Sequence, residues 1–496
     1  MSILSVRAPD CFRIFQRSLI QSNDLPMADL LSDRLIAEVF EQERVNFGIA
    51  DDDVFTPAIT LWAMVSQFLF SGTGRSVKAA AGRVVSLYAQ IDRRIVAQNA
   101  GNYCRAKAKI PVSALKKLTR SVACRAELHA LDSDDLQNPL EPDQAEERLS
   151  PIVMAAIRSQ AIVGRLINVD GFTIDAPDTP ANQRKYPQNP AQAEGIGFPI
   201  LRCVGLISAA TGLLIDLASA PYSGKGSGET TLLRQLKKSL RCGDILVADS
   251  YYCIYWLICM CQSIGVEIVM KNHHKRDNDP LGANRISENE RTASWLRPPR
   301  PTWMSKRDYS KVPKVLTMRL SDVSANRPSL RCEKFTIATT MLDINRSPSS
   351  WIGALYEGRW MIEPDIEAIK CTMGIEYLRS QTPEGIQREL WTGLFTYNLV
   401  RSKMLQAGRS ANREARSLSF TETYQVLSTN WLLCACVGVS KPMVIASLSQ
   451  CTCAVVGNRP GRAEPRENKR RPKTLKLMKV PRWIFHAAMA SLSKIT

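Results

Sequence analysis

Two aspartates follow short apolar segments of the kind that form buried strands. Asp170 comes directly after residues 166–169, and Asp249 comes directly after residues 245–248. If the two strands are neighbours in one sheet, both carboxylates reach the same metal ion. An Asp at the end of a strand also commonly caps the next turn or helix, so neither residue identifies a site by itself.

A third carboxylate lies among two cations and a tyrosine in a stretch with helical spacing. At about 100° per residue, Tyr356, Arg359, Glu363 and Lys370 fall within about 60° of one another on a helical wheel. A solvated charged face is one interpretation. The other is a metal-binding carboxylate flanked by phosphate-binding groups, because Arg and Lys donate charged hydrogen bonds to phosphate oxygens.

The spacing of these four residues resembles the signature of the insertion-sequence-four family of DDE transposases. That signature is Tyr, two residues, Arg, three residues, Glu, six residues and Lys, and the chain matches it without a gap. The run from Asp170 to Asn182 and the strand before Asp249 are also similar to this family. The similarity extends from the helical region near Leu25 to the basic C-terminal tail.

The resemblance implies a role for each residue of the pattern. It makes Asp170, Asp249 and Glu363 the catalytic residues and the ligands of two Mg²⁺ ions, for which Mn²⁺ can substitute. It makes Tyr356, Arg359 and Lys370 contacts to DNA phosphates. Carboxylate oxygens are suitable ligands for Mg²⁺, and two metal ions about 4 Å apart neutralise both the attacking and the leaving oxygen of a phosphodiester.

The activity implied by the resemblance is that of a cut-and-paste DNA transposase. Water nicks the transposon end, and the freed 3′-hydroxyl attacks the opposite strand to form a hairpin. The hairpin is reopened, and the 3′ ends then attack target DNA. The implied partners are double-stranded DNA, as terminal inverted repeats and as target, and a second copy of the chain in a homodimeric synaptic complex.

Two residues depart from the family pattern. Pro364 follows Glu363, and its missing N–H predicts a kink or the start of a new helix. Ser250 follows Asp249 where relatives often carry Arg, which removes a phosphate contact or a supporting ion pair. Two alternative functions therefore remain: a catalytically inactive DNA-binding protein derived from a transposase, and a structure-specific nuclease on the same fold.

The hydrophobic pattern predicts an α/β protein with a helical N-terminal part. Helical spacing over residues 1–131 predicts a DNA-binding helical domain, and an acidic linker is expected at 132–150. Strand-like runs at 166–169, 200–207 and 213–217, with a turn expected at 210–212, predict a meander. Strand-like runs mixed with helices predict a catalytic core over residues 151–270 and 335–382. The family resemblance makes this core ribonuclease-H-like.

The remaining segments differ from the core in composition. Residues 271–334 are rich in Pro, Arg and Lys and are expected to be an insertion between the second Asp and the Glu. Helices are predicted over residues 383–458, and a basic tail over residues 459–496. Trp295 and Trp303 lie among the arginines of the insertion, where an exposed aromatic ring can stack on a flipped base. Ordinary packing is the alternative interpretation of both rings.

The composition favours a polyanionic partner. Among 496 residues, Lys and Arg number 65 and Asp and Glu 47, a formal net charge of +18. No apolar run approaches the length of a membrane-spanning helix, so we expect no membrane partner and a cytoplasmic protein at the bacterial nucleoid. The sequence contains no C-x-x-C pair of the kind that binds zinc, so a zinc site is not expected. Residues 224–229 are rich in glycine but lack the spacing of an ATP-binding phosphate loop, so ATP use is not expected.

Overall fold

A large mixed sheet covered by helices carries the candidate site. The structure is a computed structural model that describes residues 12–21, 31–48, 53–91, 95–131, 165–273, 284–324, 334–456 and 478–492. The predicted acidic linker lies outside the described residues, as does most of the predicted basic tail.

Helices make up the described N-terminal part of the chain. They are α1 (Arg13–Ser18), α2 (Asp33–Gln42), α3 (Pro57–Leu69), α4 (Val77–Ile91), α5 (Ala100–Lys109) and α6 (Val112–Leu131). Ser32, Thr56 and Asn99 begin three of them by accepting a hydrogen bond from a backbone N–H in the first turn. The described residues before position 132 contain no strand, as the helical spacing predicts.

The described strands form one nine-stranded sheet in the order β3-β2-β1-β4-β5-β9-β8-β7-β6. The strands are β1 (Leu166–Asp175), β2 (Ile200–Ser208), β3 (Leu214–Pro221), β4 (Ile245–Ala248), β5 (Glu267–Lys271), β6 (Asn284–Arg285), β7 (Glu290–Leu296), β8 (Val315–Ser324) and β9 (Lys334–Thr339). The first three are antiparallel neighbours, the meander that the sequence predicts. Strand β4 runs parallel to β1, and β5 runs parallel to β4.

The residues expected to be an insertion extend this same sheet. Strand β9 pairs antiparallel with β5, and β8, β7 and β6 follow it outward as antiparallel neighbours. The described residues of 271–334 thus add outer strands to the same sheet. Their Pro- and Arg-rich composition comes partly from the loop at residues 297–305, which joins β7 to the next helix.

Helices cover both faces of the sheet. Those between the strands are α7 (Pro180–Lys185), α8 (Glu229–Gln235), α9 (Tyr255–Gln262) and α10 (Lys306–Lys311). Those after β9 are α11 (Ser349–Glu357), α12 (Ile362–Glu367), α13 (Pro383–Ser410), α14 (Phe420–Val437), α15 (Lys441–Cys453) and α16 (Arg482–Leu492). Helices α8 and α9 pack on one face of the sheet, and α11 packs on the other.

The N-terminal and C-terminal helices share one hydrophobic core. Trp62 of α3 stacks on Trp431 of α14 with ring centroids 5.8 Å apart, and both rings are fully buried. The same core includes Phe172 and Ile174 of β1. These helices therefore form one layer against the β1–β3 side of the sheet, although they are far apart in sequence.

One buried amide joins this helical layer to the sheet. Asn398 of α13 accepts a hydrogen bond from the N–H of Leu214 at 2.9 Å and donates to its carbonyl at 2.9 Å. It also donates to the carbonyl of Thr119 in α6. The pairing satisfies backbone groups on the outer edge of β3, which would otherwise lack partners.

In the described part of the chain, no helix combines the length and apolar character needed to cross a membrane.

Candidate active site

The two aspartates lie side by side on neighbouring parallel strands. The register pairs Asn168 of β1 with Val247 of β4, and its continuation past the end of β4 places Asp249 beside Asp170, whose pKa its charge raises. Strand β4 ends at Ala248, whereas β1 continues to Asp175 with β2 as its partner. The sequence correctly predicts the end of β4, but Asp170 lies within its strand and not after it.

Alternation along the strands places both carboxylates on one face of the sheet. Leu166 and Ile245 belong to the core beneath α11, and every second residue points the same way. Asn168 confirms this direction, because its side-chain amide donates to the carbonyl of Gly358, the residue after α11, at 3.1 Å. Asp170 and Asp249 therefore face the segment that carries the third candidate carboxylate.

The environment of Asp170 disfavours its charged form. Burial raises the pKa of Asp170 to about 6, and the carboxylates of Asp249 and Glu229 add to the rise. The N–H of Gly171, which donates to Asp170 Oδ1 at 2.7 Å, and the cation of Arg359 act in the opposite direction. Asp170 is thus shielded from water and has two other carboxylates nearby, and this environment favours binding of a cation.

We predict that Asp170→Asn stabilises the metal-free protein at pH 8. The raised pKa means that the folded state binds this proton more tightly than the unfolded state does. The charged Asp170 carboxylate lowers the free energy of unfolding. This loss of stability is absent below pH 4, grows between pH 4 and 6, and is complete above pH 6. Chemical denaturation in EDTA should therefore show Asp170→Asn about 1–3 kcal/mol more stable than wild type at pH 8. The gain should be much smaller at pH 4.5, and an equal gain at both pH values would contradict the prediction.

The segment from Tyr356 to Lys370 is helical throughout but not one regular α-helix. Helix α11 ends at Glu357, a 3₁₀ turn covers Gly358–Met361, α12 follows, and a π-helical turn covers Ala368–Thr372. Pro364 is the third residue of α12, where its missing N–H needs no intrahelical acceptor. The new helix starts at Ile362, two residues before Pro364, where the sequence predicts a kink or a helix start.

The helical wheel that placed the four signature residues on one narrow face is wrong in detail. A 3₁₀ turn advances about 20° more per residue than an α-helix, so four such residues rotate the following segment by roughly 80°. Tyr356 and Arg359 are accordingly buried, Lys370 is partly buried, and Glu363 is exposed.

Tyr356 and Arg359 lie against the aspartate pair. Burial raises the pKa of Tyr356, and Asp249 adds to the rise. The guanidinium of Arg359 is 4.2 Å from the ring centroid of Trp360 and 5.7 Å from that of Tyr356. Arg359 is 8% exposed, and its Nε has no hydrogen-bond partner among the described residues. A buried cation with a donor to spare is suited to an anionic ligand.

Glu363 and Lys370 are not gathered around the aspartates in the same way. Among the described residues, no three His, Cys, Asp or Glu side chains come close enough together to hold a metal ion. Lys370 Nζ forms an ion pair with Glu376 at 3.3 Å. The structure therefore brings Asp170, Asp249, Tyr356 and Arg359 together and leaves Glu363 at the exposed side of α12.

A buried ion network anchors α12 and was not foreseen from the sequence. Asp365 is fully buried and pairs with Arg401 of α13 and, at 2.9 Å, with Arg416. Arg416 also donates to the carbonyl of Ser208 at the end of β2 at 2.8 Å. The residue two positions after Glu363 thereby ties α12 to both the helical layer and the sheet.

The two tryptophans of residues 271–334 have different environments. Trp295 of β7 is 4% exposed and lies in the core beneath α9, so its observed role is packing and not base stacking. Trp303 is 48% exposed, and the guanidinium of Arg234 lies 3.7 Å from its ring centroid. Only Trp303 presents an accessible aromatic face.

Sequence reasoning also missed Glu229. Glu229 ends the glycine-rich stretch 224–229 and is the first residue of α8. The fold brings its carboxylate near Asp170, which is 59 positions earlier in the chain (229 − 170). No local spacing pattern signals such a contact.

Comparison with known proteins identifies similar sequences over this part of the chain. Residues 163–399 match the family model of the transposase DDE domain. The transposase InsG of insertion sequence element IS4 from Escherichia coli strain K12 is 26% identical over 264 residues, which is 52% of this chain and 56% of that protein. The chain therefore spans about half the length of this curated relative.

A solved structure is similar over most of the chain but only loosely. The cryo-EM structure of the piggyBac transposase synaptic complex with hairpin DNA aligns with 90% of this chain and 86% of its own, at 11% identity and a TM-score of 0.39. A likeness at that level does not define a shared fold.

Proposed function

We propose that the protein is a cut-and-paste DNA transposase, because residues 163–399 match the transposase DDE domain and the chain is similar to the IS4 transposase InsG. It cleaves transposon ends and joins them to target DNA. The observation that carries the proposal is the pair formed by Asp170 in β1 and Asp249 directly after the adjacent strand β4, with the buried cation of Arg359 nearby. The family match spans both aspartates and the whole segment from Tyr356 to Lys370.

The proposed catalytic core is the ribonuclease-H-like sheet formed by β1–β5. Its support is the strand arrangement, in which an antiparallel meander precedes two strands that run parallel to β1. Neighbouring parallel strands carry their carboxylates to the same end of the sheet, where ligands of such sheets commonly bind.

The donor set fits divalent metal ions. Carboxylate oxygens are the hard ligands that Mg²⁺ prefers, and Mn²⁺ accepts the same donors. Burial and, to a lesser extent, the carboxylates of Asp249 and Glu229 raise the pKa of Asp170, and a bound dication would stabilise its charged form. We assign Asp170 and Asp249 as ligands, with Glu363 as the third when DNA is bound. Two such ions, when bound, neutralise the charge on the attacking and leaving oxygens of the phosphodiester.

The chain's own residues orient the DNA strand. Arg359 offers an unused donor beside the aspartates and holds a phosphate next to the scissile bond. The Tyr356 hydroxyl lies near the charges of Arg359 and Asp249 and contacts a neighbouring phosphate. Lys370 holds a phosphate further along the strand. These contacts accelerate cleavage by fixing the geometry of attack rather than by transferring protons.

The proposed reaction is a series of phosphodiester exchanges. Water cleaves the strand at the transposon end and leaves a 3′-hydroxyl, which then attacks the opposite strand and forms a hairpin. A second water opens the hairpin, and the 3′-hydroxyls attack target DNA. Each step forms one P–O bond and breaks another at the same phosphorus atom, so the reaction needs no ATP.

In the proposed synaptic complex, a homodimer holds the two inverted repeats together. Trp303 stacks on a base displaced at the hairpin.

The proposal is tested by incubating the full chain with Mg²⁺ and DNA that carries the inverted repeats flanking its gene. Denaturing gels should show a nick at the repeat boundary, then a hairpin, and finally joined target strands. A protein that binds the repeats without cleaving them would be a catalytically inactive derivative. Cleavage of branched DNA without strand joining would indicate a structure-specific nuclease. Either result would overturn the proposal.

We predict that affinity for end DNA falls steeply with salt. A chain with a net charge of +18 releases counterions from DNA when it binds. With six or more phosphate contacts, affinity should fall about a thousandfold between 50 and 200 mM salt. Fluorescence anisotropy with labelled repeat DNA measures this slope. Deleting residues 459–496 should lower the slope, and binding that does not respond to salt would contradict the prediction.

Lys370 permits a direct comparison between a phosphate contact and a structural ion pair. If its role is the ion pair with Glu376, Lys370→Ala and Glu376→Gln should have the same effect on cleavage. We predict instead that Lys370→Ala slows single-turnover cleavage at least tenfold while Glu376→Gln changes it little. Both variants should keep the wild-type melting temperature, because an ion pair that water reaches, as it reaches this one, contributes less than about 1 kcal/mol.

A further inference from the structure

Glu229 makes a very close contact with the strand that carries Asp170. A Cβ atom placed on Gly171 would lie 2.4 Å from the Cδ of Glu229 and within 2.7 Å of both its carboxylate oxygens. Since side chains alternate along a strand, Gly171 faces the side of the sheet opposite to Asp170. The Glu229 carboxylate therefore lies against the backbone of β1, directly behind Asp170, where only a glycine leaves room for it.

A buried tyrosine holds Glu229 in this position. Tyr252 is fully buried, and its hydroxyl donates to Glu229 Oε2 at 3.0 Å. Tyr252 also closes the turn after β4, because its N–H donates to the carbonyl of Asp249 at 3.3 Å. In the same turn, the N–H of Tyr251 donates to Asp249 Oδ1 at 2.9 Å. A continuous path of contacts thus runs from Asp249 through Tyr252 and Glu229 to the strand of Asp170.

We infer that Glu229, held by Tyr252, is a positioning residue that sets the spacing of Asp170 and Asp249 for binding divalent cations. The inference rests on the proposed function, because it assumes that the two aspartates are metal ligands. Glu229 lies across the sheet from the ligands and acts on them in two ways. The Tyr252 hydrogen bond fixes the turn of Asp249 against β1, and the negative charge of Glu229 lies close enough to Asp170 to strengthen its attraction for a cation.

Three substitutions separate these effects. Glu229→Gln keeps an acceptor for Tyr252 but removes the charge, and Tyr252→Phe keeps the charge but removes the hydrogen bond. Gly171→Ala displaces the carboxylate from the strand, and the fold should tolerate it because only the flexible end of Glu229 has to move. Matched controls are Glu384→Gln, an exposed glutamate in the first turn of α13, and Tyr309→Phe in α10, which loses a tyrosine hydrogen bond to the carbonyl of Pro298.

The test measures binding of Mn²⁺ to the full chain. Calorimetry and the spin-resonance signal of the free ion both report this binding. Each of the three variants should bind Mn²⁺ about tenfold more weakly than wild type, as loss of an outer-shell partner of a metal site typically does. Melting temperatures in EDTA report folding independently, and the two controls should bind as wild type does. In the three variants, cleavage should need a higher Mn²⁺ concentration to reach half of its maximal rate. The rate at saturating Mn²⁺ should be largely retained.

The outcomes are distinguishable. If wild type binds Mn²⁺, Asp249→Ala does not, and the three variants bind as tightly as wild type, the positioning role is wrong while the proposed function stands. An equal loss of Mn²⁺ affinity in the three variants and in their controls also overturns the positioning role. If wild type binds no Mn²⁺ at all, the metal-dependent function itself fails, and this inference fails with it. Should Tyr252→Phe not fold, Gly171→Ala and Glu229→Gln decide the result.

Discussion

Asp249→Asn should reduce cleavage of pre-bound end DNA by at least about a thousandfold. The substitution keeps the size of the side chain and removes one of the two neighbouring carboxylates that project from the same face of the sheet at β1 and at the end of β4. Metal ions at this pair would supply several kcal/mol of charge stabilisation in the transition state, and about 4 kcal/mol corresponds to a thousandfold in rate. We expect the same for Asp170→Asn and, if α12 supplies the third ligand, for Glu363→Gln. Single-turnover cleavage in Mg²⁺ is the measurement.

Controls distinguish loss of chemistry from loss of DNA binding. Anisotropy with end DNA should show near wild-type affinity for all three variants, because phosphate contacts dominate binding. Glu367→Gln alters an exposed acid one turn beyond Glu363 in α12, and Asp308→Asn alters an exposed acid in α10. Both should cleave normally. Normal cleavage by Glu363→Gln would exclude that residue and require another third ligand.

Sequence patterns predict the parts of this fold that are set by local chemistry. Strand β4 is predicted residue for residue, because a fully buried strand reads as an uninterrupted apolar run. The meander of β1–β3 is recovered, with a turn at Gly212, whose positive φ of 73° favours glycine. The resemblance to IS4-type transposases is confirmed over residues 163–399. It rests on the spacing of Tyr356, Arg359, Glu363 and Lys370.

The features that sequence reasoning did not predict depend on contacts between distant segments. Residues 271–334 appear polar and irregular, yet β7 and β8 join the sheet through backbone pairing that composition does not reveal. Trp295 is buried because β7 turns it into the core, which depends on the register of the strand. The rotation between Arg359 and Glu363 arises from a 3₁₀ turn that an ideal helical wheel does not contain.

The buried groups around α12 show how the structure restrains the proposed third ligand. Asp365 is held by Arg401 and Arg416, so the backbone two residues from Glu363 is fixed to the helical layer. Such a paired buried carboxylate is costly to disrupt, because removing it leaves two buried cations without this opposite charge. Movement of the Glu363 side chain toward the aspartates therefore has to come mainly from its own rotamer.

Arg359→Gln should slow cleavage of pre-assembled end complexes about a hundredfold with little loss of folding stability. The guanidinium stacks on Trp360 and lies near Asp170, yet its Nε has no partner among the described residues. Replacing a buried cation of this kind by a neutral amide removes a desolvation cost along with its packing, so the two effects on stability oppose each other. Loss of a phosphate contact misplaces the scissile bond, which costs on the order of a hundredfold.

Arg359→Lys separates charge from geometry. Lysine keeps the positive charge but cannot donate two parallel hydrogen bonds to one phosphate, so we expect it to recover only about a tenth of the wild-type rate. Arg307→Gln, an exposed arginine in α10, is the matched control and should cleave normally. Thermal melting measured beside single-turnover cleavage decides the interpretation. If Arg359→Gln melts much lower and cleaves at the wild-type rate once folded, Arg359 has a structural role and does not hold a phosphate.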